Sequence, residues 1–132
     1  MPCEEERGGD CEKRGAGYEI WCKEKECTGK GAKCAGETGR NGYTRGEEHR
    51  KGKERGDKEN TMVRHDMEHH GGGKGTRFGM RVTGTFGRDN VRRKVDEAVR
   101  IWRNKGERAM NRKEECRQSG LPRLVVQDGG TV

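Results

Sequence analysis

Apolar and polar positions alternate along Tyr18-Glu-Ile20-Trp-Cys22, which also carries β-favouring side chains, so this stretch predicts a short strand. A polar turn, "KEKECTGKGAK", follows. The residues around Cys34-Ala35 predict a second short strand that pairs back as a hairpin. Asn41 to Arg50 predicts a helix, weakened by Gly42 and Gly46 at about 1 kcal/mol each relative to alanine. "KGKERGDKEN" reads as a charged connector. "TMVRHDMEHH" predicts one or two helical turns, stopped by Gly71-Gly72-Gly73. Phe78, Met80 and Val82 alternate and Phe86 continues the phase, which makes this the clearest strand. Val91, Val95, Ala98, Val99 and Trp102 recur at helical spacing, with Asp89 or Asn90 available as N-cap and the stripe expected to face the sheet. The run "LPRLVVQDGGTV" receives no assignment. This order predicts an α+β fold, a small three-stranded antiparallel sheet flanked by helices, with glycine-rich, charged and partly disordered segments.

Composition makes that fold hard to hold together. Leu, Ile, Val and Phe number fourteen of 132 residues, well below the roughly 20% at which a charged chain becomes a candidate for disorder. Charged residues make up 40% and there are 23 glycines. Such a chain buries little apolar surface against a backbone ordering cost of about 1–2 kcal/mol per residue. Ordering therefore calls for a metal, a partner or a bound polyanion.

The formal net charge of +7 favours phosphate backbones and anionic surfaces as partners. With 30 basic and 23 acidic residues, the chain is not a polycationic tail. No apolar stretch approaches the roughly 20 residues of a membrane span. The first thirty residues lack an apolar signal region, so an intracellular protein is expected. Its six cysteines are then reduced thiols or metal ligands rather than a disulfide framework.

Candidate chemistry gathers at two places. In "KCAGETGRNGYTRGEEH", Arg45 and His49 stand one helical turn apart and share a face, after a glycine-rich turn at Gly36 to Arg40. Convergent Arg and His after such a turn point to an anionic substrate. Amid Glu47, Glu48 and Arg50, the same pair also fits a solvated face. Cys22 and Cys27 lie within the reach of a zinc hairpin, and His65 and His70 sit at a usable spacing, with His69 competing for the second place. Together they make a Cys₂His₂ set, against the alternative of incidental thiols and a His-rich turn. Cys3, Cys11 and Cys116 form no ligand pattern.

The segments "YEIWC", "CAGETGR", "TRGEEH", "RHDMEHH", "DEAVRI" and "MN" occur in that order. In this the chain resembles the GIY-YIG endonucleases, most closely the version carried by Penelope-like and related retroelements. The match runs over residues 18–126, leaving 1–17 and 127–132 as disordered ends. The resemblance implies a metal-dependent DNA endonuclease domain. Tyr18 would stand for the first motif's tyrosine, Arg45 for the catalytic arginine, His49 for the histidine one turn later and Glu97 for the Mg²⁺-binding glutamate. Asn111 would match the Asn at the end of the helix that carries Glu97. Cys22, Cys27, His65 and His70 would hold a structural zinc. The cofactors implied are thus Mg²⁺ and Zn²⁺, and the partners are DNA and a retroelement reverse transcriptase, in the nucleus. Neither a membrane nor a small-molecule substrate is expected.

Phosphodiester hydrolysis suits these residue types. A carboxylate holds Mg²⁺ with several of its waters, an arginine fork matches phosphate oxygens, and a tyrosine or histidine orients the water and takes a proton. DNA contacts are expected from Arg40, Arg45, Lys51, Lys53, Arg92, Arg93 and Lys94. Four departures point to a degenerate copy with impaired cleavage. Cys34 replaces the second motif's tyrosine, and Ala35 a larger apolar residue. Cys116 and Arg117 stand where an aromatic residue and Asn are usual, and two glycines interrupt the helix around Arg45. Two further readings are an inactive basic nucleic-acid-binding remnant and a largely disordered fragment without function.

Overall fold

The computed structural model describes residues 12–72 and 75–111. The first strand, β1, runs over Arg14–Cys22 and lies between the second, β2 (Lys33–Asn41), and the third, β3 (Phe78–Thr85). Both pairings are antiparallel. Three helices complete the α+β fold: α1 (Gly42–Arg55), α2 (Thr61–His69) and α3 (Asn90–Arg103). A single 3₁₀ turn, Lys25–Cys27, interrupts the β1–β2 connection.

Two strand boundaries differ from the expected ones. β1 begins at Arg14, so Gly15, Ala16 and Gly17, expected in the disordered N-terminal segment, belong to the sheet. The segment Gly36–Arg40, expected as a turn, lies inside β2. Its alternate residues Cys34, Gly36 and Thr38 pair with Ile20, Tyr18 and Ala16. Gly36 is needed there, because a Cβ at that position would fall on the Tyr18 ring. The tail from 112 onward, with Cys116 and the apolar run after it, lies outside the described residues.

The sheet has two unlike faces. Tyr18, Ile20 and Cys22 share one face with Met80 and Phe78 and form the main apolar cluster, together with Met62 of α2, Cys27, Ala32, Cys34 and Met110. The helix α1 contacts all three strands. Its buried residues are Gly42, Gly46 and Gly52, and the side chains of Arg45, His49 and Lys53 reach Tyr18 and Phe78 of the sheet. Gly42 and Gly46, the glycines expected to weaken this helix, are among its buried residues. On the other face α3 contacts β1 and β2, burying Ala98 and Ile101.

Asparagine and aspartate start the helices, as short polar side chains do at N-caps. Asn41 accepts from the amide of Thr44, Asn60 from those of Met62 and Val63, and Asp89 from that of Arg92. After α3 the chain returns along β2, an edge strand. The amide of Arg108 donates to the Lys30 carbonyl and that of Met110 to the Lys33 carbonyl, both at 3.0 Å. Asn111 then pairs with both backbone groups of Ala35, at 2.6 and 3.2 Å. This strap covers part of an edge that would otherwise be open to another chain.

Candidate active site and metal centre

A cleft of about 870 Å³ opens beside β2. Tyr18 from β1, Arg45 and His49 from α1 and Glu97 from α3 all line it. The four residues expected to act on a phosphodiester therefore meet in one place, although three separate elements supply them. Arg45 Nε donates to the Tyr18 hydroxyl at 3.2 Å. The Tyr18 hydroxyl and His49 Nε2 are hydrogen-bonded at 2.9 Å, and the phenol donates in the tautomer that carries the ring proton on Nδ1.

Burial sets the proton affinities of this group. It raises the Tyr18 phenol above its ordinary value, against the opposing pull of Arg45. The phenol is thus protonated at neutral pH. Burial, and then the neighbouring Arg45 cation, lower His49 from 6.5 to about 4. A neutral imidazole beside a protonated phenol is a proton acceptor in place. Two carboxylates that line the cleft are held by arginines: Glu48 by Arg40 and Arg45, Glu37 by Arg93.

Cys34 lies buried in the cleft wall, in the register position facing Ile20. It stands two residues before Gly36, the position that faces Tyr18. Asn111 also lines the cleft, but its amide is spent on the backbone of Ala35, so it fixes the wall. The cleft continues past Arg55, Lys58, Asn60 and Arg64, which the sequence reading missed. Of these, only Asn60 carried a signal, as a capping residue before "TMVRH".

The cations expected to contact DNA stand in different settings. Lys51 is exposed on α1. Arg40 is paired with Glu48, and Lys53 Nζ sits 5.6 Å from the centre of the Phe78 ring. On α3, Arg92 is exposed and lies over Phe86 at 5.8 Å, while Lys94 is half-buried. Arg93 is a correction. It is buried and its guanidinium is bonded to Glu37, so it ties α3 to β2 instead of facing a ligand.

The second site is closed and compact. Cys22 ends β1, Cys27 ends the 3₁₀ turn, His65 faces inward from α2, and His70 follows that helix. The ligand atoms of all four lie within 4.8 Å of one another. The Nε2 atoms of His65 and His70 are 3.2 Å apart. Cys27 Sγ is 3.5 Å from His65 Nε2 and 3.4 Å from His70 Nε2, and Cys22 Sγ is 3.6 Å from His70 Nε2. A tetrahedral zinc, with bonds of about 2.3 Å to sulfur and about 2.0–2.1 Å to nitrogen, gives N–N edges of about 3.3 Å and S–N edges of about 3.6 Å. The cluster can therefore hold a metal ion such as zinc. His69 is not part of it; its ring stacks at a tilt on His65.

Groups around the cluster support that role. Glu26 Oε1 lies 3.1 Å from His70 Nδ1, which orients the ring with Nε2 toward the centre. Arg108 Nη1 donates to Cys27 Sγ at 3.1 Å. Burial pushes the Cys22 thiol up to about 11 and His65 down to about 4. Bound metal would overcome the first effect by coordinating the thiolate directly. Neither Glu26 nor Arg108 was singled out in the sequence. Glu26 adjoins Cys27, whereas Arg108 gave no signal.

Among the described residues no helix is long and apolar enough to cross a membrane. No family model, curated protein or solved structure matches the chain.

Proposed function

We propose that the chain is a metal-dependent DNA endonuclease domain of the GIY-YIG type with impaired cleavage, built around a structural zinc. What supports this reading above all is the convergence of Tyr18, Arg45, His49 and Glu97 on one cleft, with the Tyr18 hydroxyl bonded to both Arg45 and His49. A phosphate in the cleft meets the Arg45 guanidinium, whose fork suits non-bridging oxygens. The Tyr18 oxygen takes a proton from the attacking water while its own proton passes to His49 Nε2. The negative charge of the phosphodiester raises His49 from its low value and so improves it as the final acceptor. Glu97 would hold a divalent cation, which would supply charge neutralisation at phosphorus and at the leaving oxygen.

Zinc at Cys22, Cys27, His65 and His70 adds stability that the small core lacks, because metal binding free energy is also folding free energy. On this reading the substrate is DNA, the accompanying activity is a retroelement reverse transcriptase and the compartment is the nucleus.

Cys34 is the source of the impairment. A thiol lacks the reach and the hydroxyl of the tyrosine it replaces, so one group that would position the water is missing. The test is nicking of supercoiled plasmid with Mg²⁺ by the zinc-loaded protein. The parent nicks slowly, Glu97→Ala abolishes nicking, and Cys34→Tyr accelerates it. No nicking by folded parent or folded Cys34→Tyr would end the enzyme reading. Salt-sensitive DNA binding without nicking would then leave a binding remnant, the reading that Cys34 in the cleft wall favours.

A further inference from the structure

The metal cluster and the cleft share β1, with Cys22 and Tyr18, and α2, with His65 and Arg64, and one further short stretch of chain touches both. Residue 108 contacts the cluster, and residue 111 lines the cleft. Arg108 Nη1 donates to Cys27 Sγ, while its own amide is bonded to the Lys30 carbonyl. Met110, buried in the main core, donates its amide to the Lys33 carbonyl. Its carbonyl accepts from Thr61 Oγ1 at 3.3 Å and Arg64 Nη2 at 3.0 Å, both from α2. Asn111 then closes on Ala35, next to Cys34 and Gly36 in the cleft wall.

We infer that Arg108 is a positioning residue that couples metal loading to the order of the strap 104–111, and through Asn111 to the cleft wall. The inference rests on the metal reading given above. The physical basis is a difference in acceptor strength. A neutral thiol is a weak acceptor, whereas a metal-bound thiolate receives a charge-assisted hydrogen bond from a guanidinium. Metal loading therefore strengthens the Arg108–Cys27 bond specifically in the loaded state. Such a differential contact is what a coupling between two sites requires, and it acts in both directions. The strap in turn holds Arg108 against the sulfur and raises metal affinity.

The backbone geometry makes the coupling measurable without any assay of cleavage. The amide of Ala35 is protected by Asn111 and that of Met110 by Lys33. In the zinc-loaded parent both exchange hydrogen slowly. In zinc-loaded Arg108→Ala, with one bond to a charged group lost, both exchange about tenfold faster or more. Amides in the β1–β3 ladder keep the parent's protection. Zinc affinity falls by on the order of tenfold, as for other groups bonded to metal ligands. With Co²⁺ in place of Zn²⁺, the thiolate-to-metal band of Arg108→Ala moves to longer wavelength, because the sulfur has lost a donor. A residue that merely packed would not move that band. Arg108→Lys, which keeps a cation, restores part of each effect. Should Arg108→Ala not fold with zinc, Arg108→Met, which keeps an apolar stem without a donor, carries the same comparison.

Full parental protection of Met110 and Ala35 in the zinc-loaded variant, or an unmoved Co²⁺ band, overturns the coupling and leaves the metal site intact. A parent that retains no zinc on native mass spectrometry overturns the metal reading itself, and the coupling with it.

Discussion

The metal cluster and the cleft are built on opposite principles. The cluster draws its ligands inward until four donor atoms lie within 4.8 Å. The cleft surrounds about 870 Å³ of space, and its groups line that space, with Arg45 and His49 joined through the Tyr18 hydroxyl. One site is closed and closes the fold; the other is open and available for chemistry. The difference follows from how little else is buried. Among the described residues the largest fully buried side chains are Ile20, Met62, Met80 and Ile101, so a metal held at the cluster would add stability that this small core does not supply. Substitutions at the cluster are then expected to act on folding, and those at the cleft on proton transfer and ligands.

The largest effect is expected at the cluster. Structural zinc contributes apparent binding energies of about 10–16 kcal/mol in small zinc-finger peptides. Chelation, or Cys27→Ser, should therefore abolish the cooperative thermal transition and the dispersion of amide resonances. Glu97→Ala should leave both unchanged. Unfolding by Glu97→Ala, or indifference to chelation, would break the division between the two regions.

A smaller effect is expected from His49, which belongs to the cleft yet carries a stability term. Its imidazole is held neutral down to about pH 4, while in the unfolded chain it protonates near 6.5. Between those values the unfolded state binds the extra proton, so stability falls as the pH falls. The contribution is fully present above pH 6.5. The slope from this one group approaches about 1.4 kcal/mol per pH unit within the window. Denaturant titrations from pH 7 to 5 should show a shallower decline for His49→Gln than for the parent. The difference isolates His49, because acid release of the metal is common to both proteins.

The sequence displayed these two regions unequally, for physical reasons. The cluster was legible because cysteine and histidine are rare and their spacing survives without a structure. Only the choice between His69 and His70 needed coordinates. The helix α3 was legible from its stripe, although Val91 at its start turned out 62% exposed. The first residues of β1 and the middle of β2 were not legible, because Gly15, Gly17, Gly36 and Gly39 carry no alternation to read. Neither was the packing of α1, whose buried residues are glycines. Buried positions without side chains leave no periodicity. Arg93 was misplaced among the DNA contacts because its fate depends on Glu37, distant in sequence but adjacent in the fold.

Gly36 offers a more modest test on the cleft side. Gly36→Ala places a methyl group against the Tyr18 ring. Overpacking of this kind costs about 1–3 kcal/mol. The ring can escape only by giving up its place between Arg45 and His49. The variant should therefore lower the denaturation midpoint modestly and also shift the His49 ring resonances. A loss of stability with the His49 signals unmoved would show that the backbone yields and the ring stays.

The smallest effect separates cations that bind from cations that build. Lys51 is exposed on α1, whereas Arg93 is buried against Glu37. A lysine at a phosphate contributes to affinity through counterion release, so Lys51→Gln should weaken DNA binding evenly across sequences. It should also reduce the salt slope by about one unit and leave the thermal midpoint where it was. Arg93→Gln should do the reverse: a lower midpoint, because Glu37 loses its partner in a half-buried setting, and an unchanged salt slope once the protein is folded. A reduced slope for Arg93→Gln would mean that α3 turns this arginine outward when DNA binds, and that the buried ion pair is a resting arrangement rather than a fixed brace.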